Sequence, residues 1–231
     1  DLLTTPELRT EFIEIYCDQG REEAGRWLSD NHGPIGANEL EHRLSRYGLN
    51  PCGEILGADF HCNLAEVHLN QIDPSDEEGQ ANAFRAGALS VACLLNHRFE
   101  VERYRQSREW DPIVGVSFTG LFDFFVHAFG TEWLSWWEAG RPDTEEGLRF
   151  KEQEAAYLSR WKEIVNQTVW DYCDRHGLRC PNRCTTVQPA GTKSLLTGAA
   201  PGWHPPKAQR FIRRITFRKN DPVAMACMDY G

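Results

Sequence analysis

Apolar and polar residues alternate through the stretch from Cys62 to Leu69, and that period predicts a β-strand. Ile113 to Phe118 is a short, nearly continuous apolar run of the kind that forms a fully buried strand. Thr185 to Val187 and Arg214 to Phe217 read as two further short strands. Helical spacing dominates elsewhere. Thr5-Pro6-Glu7 joins a capping hydroxyl, a proline in the first turn and a carboxylate at the positive dipole end, so a helix is expected from there to about Asp18. A second helix is expected over Glu22 to Ser29, broken by Asn31-His32-Gly33-Pro34.

The acidic run Asp73 to Glu78 is a helix start, and an apolar stripe of Phe84, Leu89, Val91 and Leu95 carries that helix to about His97. Leu121 to Phe129 continues from Gly120 as an aromatic helix, followed by a patch of Trp133, Trp136 and Trp137. A long polar helix is expected over Thr144 to His176, with Gly177 just past its end. Pro222 to Met228 predicts a last helix. Two stretches read as loops: Tyr47 to Ile55, and Gln188 to Pro206, both rich in glycine and proline. Strands alternate with helices, so the pattern predicts an α/β fold with at least some parallel strands. No repeat, low-complexity tract or clear linker divides residues 1–231, so one domain is expected.

Composition narrows the classes. A length of 231 residues with 41% hydrophobic residues fits one globular domain or a large piece of one. The net charge of −9 argues against a broad nucleic-acid-binding face, although a local anion site remains compatible with it. No apolar run approaches the roughly 18 residues of a membrane span. Asp1 to Glu11 shows neither a basic nor an apolar signal region, so a reducing, cytoplasmic setting is expected. In such a setting the eight cysteines do not read as a disulfide scaffold.

Five groups of residues hold candidate chemistry. Asn50, Cys52 and Glu54 occupy alternate positions, which in an extended segment would aim an amide, a thiol and a carboxylate the same way. A carboxylate can take a hydroxyl proton, an amide can hold a second hydroxyl, and a thiol can donate hydrogen or act as a redox partner. The same residues also suit a plain turn with an incidental cysteine. Pro189, Ala190, Gly191, Thr192, Lys193 and Ser194 combine small residues, two hydroxyls and a cation after a strand, which suits a phosphate cradle or an ordinary polar turn. Cys173, His176, Cys180 and Cys184 offer zinc-binding atoms, but their spacing contains no C-x2-C pair, and scattered structural cysteines fit as well. His61-Cys62 is a conceivable ligand pair or a packed strand end, and the tryptophan patch suits a planar cofactor, a subunit interface or the core.

Taken in order, the motifs resemble a known family. LNPCGEIL (Leu49 to Leu56) resembles the active-site finger loop of ribonucleotide reductases, and CNLAEV (Cys62 to Val67) the strand that follows it. PAGTKSLLTGAAPGWHPP (Pro189 to Pro206) resembles their substrate-phosphate loop. Together with VGVSFTGLFDFFVHAFG (Val114 to Gly130) and KAQRFIRRITF (Lys207 to Phe217), the likeness is nearest to the monomeric adenosylcobalamin-dependent triphosphate reductases and runs from about Gly36 to Gly231.

The resemblance implies the second half of a ten-stranded α/β barrel with a central finger loop. It implies adenosylcobalamin as the radical source, Cys52 as the radical-bearing cysteine, and Glu54 as the acceptor of the substrate 3′-hydroxyl proton. It further implies Asn50 as a holder of substrate hydroxyls, Cys62 as one thiol of the redox pair, and residues 189–194 as the grip on the substrate phosphates. A ribonucleoside triphosphate and a thioredoxin-like or other dithiol reductant are the implied partners, with the missing barrel half possible on another chain. Nucleic acid and membrane are not among the expected partners. Two alternatives stand beside this expectation: a half-barrel that is inactive without another chain, and a reductase that draws its radical from a separate metal-containing subunit.

Overall fold

The structure is a computed structural model that describes residues 5–34, 36, 38, 40–41, 47–49, 55–57, 59–61, 63–206, 208, 210, 212, 214 and 216–230. The N-terminal helices form where the sequence pattern places them, although the second runs on through Asn31 and His32 and ends only at Gly33. α1 (Pro6–Gln19) is capped by Thr5, whose hydroxyl accepts from the Leu8 N–H, and Gly20 separates it from α2 (Arg21–His32). The two pack through Phe12 and Trp27, and Tyr16 lies against Phe12 within α1. The stretch read as one loop contains a short antiparallel pair, β1 (Tyr47–Leu49) and β2 (Ile55–Gly57), with Leu49 opposite Ile55.

The centre of the fold is a parallel pair, β3 (Asn63–His68) and β4 (Val114–Thr119), in register from Asn63 opposite Val114 to His68 opposite Thr119. A third strand-like piece adds to the far edge of β4: Val116 N–H donates to Cys184 O at 2.9 Å, and Thr186 N–H to Val116 O at 3.1 Å. β4 is therefore central and buried throughout, as its apolar run predicted.

The two faces of this sheet differ. Ala65, Val67 and Val116 face α3 (Glu77–Cys93), where a Cβ at Gly87 would lie 3.3 Å from Val116 Cγ1 and 3.6 Å from Val67 Cγ2. Side chains alternate along a strand, so Glu66, His68, Ser117 and Thr119 project from the opposite face. α3 starts where the acidic run placed it, with Asp76 accepting from Gly79 N–H at 2.8 Å. It ends at Cys93, earlier than expected, and a short 3₁₀ turn covers Leu94–Asn96. α4 (Glu102–Trp110) had no sequence forecast, because its polar residues carry no apolar stripe for periodicity to reveal.

α5 (Leu121–Phe129) and α6 (Thr131–Glu138) bring the aromatic residues together, and α7 (Glu145–His176) lies against α3. The ends of α7 are those read from the sequence. Thr144 caps the first turn through Gly147 N–H, and Gly177 turns the chain in the left-handed region. The tryptophan patch is core: Trp133 and Trp136 are buried, with Trp133 Nε1 donating to the buried Glu154 at 2.7 Å and Arg141 pairing with the same carboxylate at 2.6 Å.

Midway along α7, Trp161 stacks on Phe84 at 5.0 Å and donates from Nε1 to Gln80 Oε1 at 3.1 Å. The fully buried Gln80 also accepts from Arg160 and donates to the Pro74 and Asp73 carbonyls. α8 (Pro222–Tyr230) forms near its expected position. The strand expected over Arg214 to Phe217 does not form at residues 214, 216 and 217, which are irregular and exposed. A strand needs a neighbour to pair its backbone, and these residues have none among those described. No described helix is long and apolar enough to cross a membrane.

Trp161→Ala removes a stacked ring and one donor to Gln80 from the α3–α7 contact. A loss of about 3–5 kcal/mol of unfolding free energy is expected, read by urea denaturation. A loss below about 1 kcal/mol would contradict this role for the contact.

Candidate functional site

The loop after the third strand folds back over the carboxyl ends of β3 and β4, on the polar face of the sheet. Glu66, His68, Ser117 and Thr119 on this face each make a contact to it. Ser117 Oγ accepts from Gln188 N–H at 2.9 Å. Thr119 Oγ1 donates to Ala200 O at 3.1 Å and accepts from Gly202 N–H at 3.2 Å. His68 Nδ1 meets Thr197 Oγ1 at 2.7 Å. The Thr197 proton is committed to Asn70 Oδ1 at 3.1 Å, so the network puts the His68 proton on Nδ1. Asn70 Nδ2 returns a bond to Thr197 O at 2.9 Å. Glu66 pairs with Lys193, 3.1 Å from Nζ to Oε2. From α5, Asp123 accepts from Ala200 N–H at 2.7 Å, and Gly120 N–H donates to Ala200 O at 2.8 Å.

Within the loop, Ala190 takes a left-handed conformation, with φ of +51°. Ser194 N–H donates to Ala190 O, and Ala199 N–H to Ser194 O. Ala190 and Ser194 are buried, whereas Pro189, Gly191, Thr192 and Lys193 are exposed. The Thr192 and Lys193 N–H groups have no partner among the described residues, and the Thr192 hydroxyl stands beside them. This rim of donors at the carboxyl ends of parallel strands is where open α/β sheets take anionic ligands. The Lys193 ammonium is already engaged, with Glu66 and with Gln188 Oε1 at 2.6 Å.

Asn50, Cys52, Glu54 and Cys62 lie outside the described residues. β1 and β2 bracket the first three. The neighbour of Cys62, His61, stacks its ring on Phe99 at 4.1 Å and meets the edge of Tyr104 at 5.3 Å, so it serves in packing. The seat residues Glu66, His68, Asn70, Ser117, Thr119 and Asp123 were not singled out from the sequence. For Glu66, His68, Ser117 and Thr119 the signal was present in the strands, where these polar residues alternate with apolar ones; Asn70 and Asp123 lie outside the strands and carried no such signal.

Cys173, Cys180 and Cys184 do come together at the end of α7, but as a packed thiol cluster. Burial pushes the Cys173 thiol up to about 11 and the Cys184 thiol up to about 12, and it raises Cys180 as well. Among the described residues, no group of three or more His, Cys, Asp or Glu side chains is placed so that it could hold a metal ion.

Two outcomes follow from this geometry. Gly202 has φ of +56°, and a Cβ there would meet Gln188 O at 2.4 Å. Gly202→Ala is expected to cost about 1–3 kcal/mol, read as a lower urea midpoint; an unchanged midpoint would contradict the closeness of the loop. The buried thiols hold their protons more tightly folded than unfolded. Their contribution to stability is fully present below the ordinary thiol value of 9.0 and is lost as pH rises through about 11 and about 12. Urea midpoints should therefore fall between pH 8 and pH 10.5, and less steeply in Cys184→Ala. Equal slopes in the two proteins would count against the effect.

No protein-family profile matches the chain. Among curated proteins, it is 32% identical over 194 residues to an adenosylcobalamin-dependent ribonucleoside-triphosphate reductase of Levilactobacillus brevis, a match covering 80% of this chain and 25% of that protein. It is 31% identical over 216 residues to the protein of the same name from Lacticaseibacillus paracasei, covering 88% of this chain and 28% of that one. The chain thus spans about a quarter of the length of the curated relatives it matches. A crystal structure of a B12-dependent (class II) ribonucleotide reductase superposes on 69% of this chain and 23% of that one, with a TM-score of 0.51 at 21% identity, a likeness of fold. Sequence and fold agree: this chain is a relative of the adenosylcobalamin-dependent ribonucleoside-triphosphate reductases, matching about a quarter of their length.

Proposed function

We propose that this chain is the finger-loop and substrate-phosphate part of the catalytic barrel of a ribonucleoside-triphosphate reductase. The observation that carries the reading is the seat of residues 188–202: a donor-lined loop tied to the polar face of parallel strands, in the sequence segment that resembles the family's phosphate loop. In this reading β3, β4 and the Thr185 piece are consecutive strands of the ten-stranded barrel, and residues 1–231 form part of one domain.

The reaction converts a ribonucleotide and two thiols into a 2′-deoxyribonucleotide, a disulfide and water. Cys52, as a thiyl radical, takes the ribose 3′-hydrogen and later returns it. Glu54 accepts the 3′-hydroxyl proton, which helps the 2′-hydroxyl leave as water, and Asn50 holds the hydroxyls in place. Cys62 and a partner thiol supply the two electrons, and a thioredoxin-like or other dithiol reductant restores them. Hydrogen transfer demands near-contact geometry, so a rigid hold on the substrate phosphates serves the chemistry directly. The Thr192 hydroxyl and the N–H groups of Thr192 and Lys193 form that hold.

Adenosylcobalamin is the radical source in this reading. The described residues do not make a seat for it on their own. The apolar groove between α3, α7 and Trp203 is about 290 Å³, at the low end even for a drug-sized ligand and too small for a corrin ring. A wider depression of about 830 Å³ is walled largely by charged and polar residues, among them Arg21, Glu22, Arg26 and Asp30 of α2. No step is therefore built on the cofactor's contacts.

In the complete reductase, Cys52→Ala is expected to abolish nucleotide reduction while nucleotide binding persists. Substantial residual turnover would overturn the radical role. Cys62→Ser is expected to stop repeated turnover yet permit chemistry within a single turnover, read by rapid quench. Unchanged steady-state kinetics would remove Cys62 from the redox pair.

A further inference from the structure

The polar face of the sheet carries one group that the proposed chemistry leaves unused. The Glu66 side chain is 2% exposed, whereas the other outward polar residue of its strand, His68, bonds to the Thr197 hydroxyl. Its neighbour across the ladder is Ser117, which is occupied by Gln188 N–H. Neither Glu66 oxygen has a hydrogen bond of good geometry among the described residues, and its one close partner is the Lys193 ammonium, 3.1 Å from Oε2. The Lys193 side chain is 48% exposed, and its Nζ also donates to Gln188 Oε1 at 2.6 Å. A carboxylate that deep needs a compensating charge, and the compensating charge comes from the phosphate loop.

We propose that Glu66 is a positioning residue for the substrate-phosphate loop, and that Lys193 acts through it as a tether of the loop, not as the counter-charge of a phosphate. The proposal rests on the phosphate-loop reading given above and assigns the lysine a different task within it. The ion pair fixes the start of the 3₁₀ turn at Lys193–Leu196 against β3. That in turn fixes the direction of the Thr192 and Lys193 N–H groups. The grip on phosphate is then left to backbone donors and the Thr192 hydroxyl, whose geometry does not depend on a flexible side chain.

The sign of one substitution separates tether from ligand. If Lys193 tethers, Glu66→Gln loosens the loop and raises KM for a nucleoside triphosphate. If Lys193 binds phosphate, removing the competing carboxylate frees the ammonium and lowers KM. In the complete reductase, Glu66→Gln and Lys193→Gln are each expected to raise KM about tenfold, about the size of a 1.4 kcal/mol effect, with kcat changed less. The double variant should be no worse than either single one, because both remove the same contact. A fall in KM for Glu66→Gln, or additive effects in the double variant, would overturn the proposal.

A second measurement reads the tether without nucleotide. In the 231-residue chain, hydrogen exchange at the Ser194, Ala199 and Ala200 amides should speed up about tenfold in Glu66→Gln, with α7 amides unchanged. Unchanged exchange at those three amides would also overturn it. Faster exchange in a protein whose loop proves not to bind triphosphate would uphold the tether and remove only its nucleotide-binding purpose, so the two readings fail separately.

Discussion

The parallel ladder between β3 and β4 is the constraint on which the rest of the site depends. In-register pairing from Asn63–Val114 to His68–Thr119 brings the outward side chains of both strands level with one another. Glu66 then sits beside Ser117 and His68 beside Thr119, in two rows at the carboxyl ends. A shift of one residue in either strand would turn a row toward α3 and leave the loop without its seat. The apolar face secures that register, because Ala65, Val67 and Val116 must reach the helices. The core therefore fixes the site indirectly, by deciding which residues are left to face the other way.

The loop itself has little internal structure to hold it. Its internal bonds, such as Ser194 to Ala190 and Ala199 to Ser194, close small turns and do not order the whole. The order comes from the strands and from α5, where Asp123 and Gly120 grip the two sides of the Ala200 peptide. Each bond is worth only about 1 kcal/mol net. They act together because one rigid surface provides all the partners, so the entropy of ordering the segment is offset at several points along it.

Much of this was legible in the sequence, for reasons that can be named. Helix α7 was readable at both ends because Thr144 and Gly177 are residues whose local chemistry caps a helix without help from the rest of the fold. Strand β4 was readable because its apolar run is too short for a helix and flanked by Pro112 and Gly120. What escaped notice needed long-range information. α4 is held without an apolar stripe, β1 and β2 exist only as a pair, and Arg214–Phe217 has strand composition but no described neighbour. The position of the phosphate-loop motif could be read from its small residues, whereas the carboxylate that engages its lysine lies 127 positions earlier and no local pattern links the two.

The 32-residue length of α7 has one more consequence. The helix is anchored near one end by Glu154, in its middle by Trp161 and near the other end by Cys173, all on one buried stripe. With about 1.5 Å of rise and about 100° of turn per residue, it works as a rigid bar with a fixed phase. Inserting a single residue after Trp161 would leave Glu154 in place and swing Cys173 out to solvent. A change in chain length is therefore absorbed at least cost in the turns on either side of the helix, at residues 139–144 and 177–184.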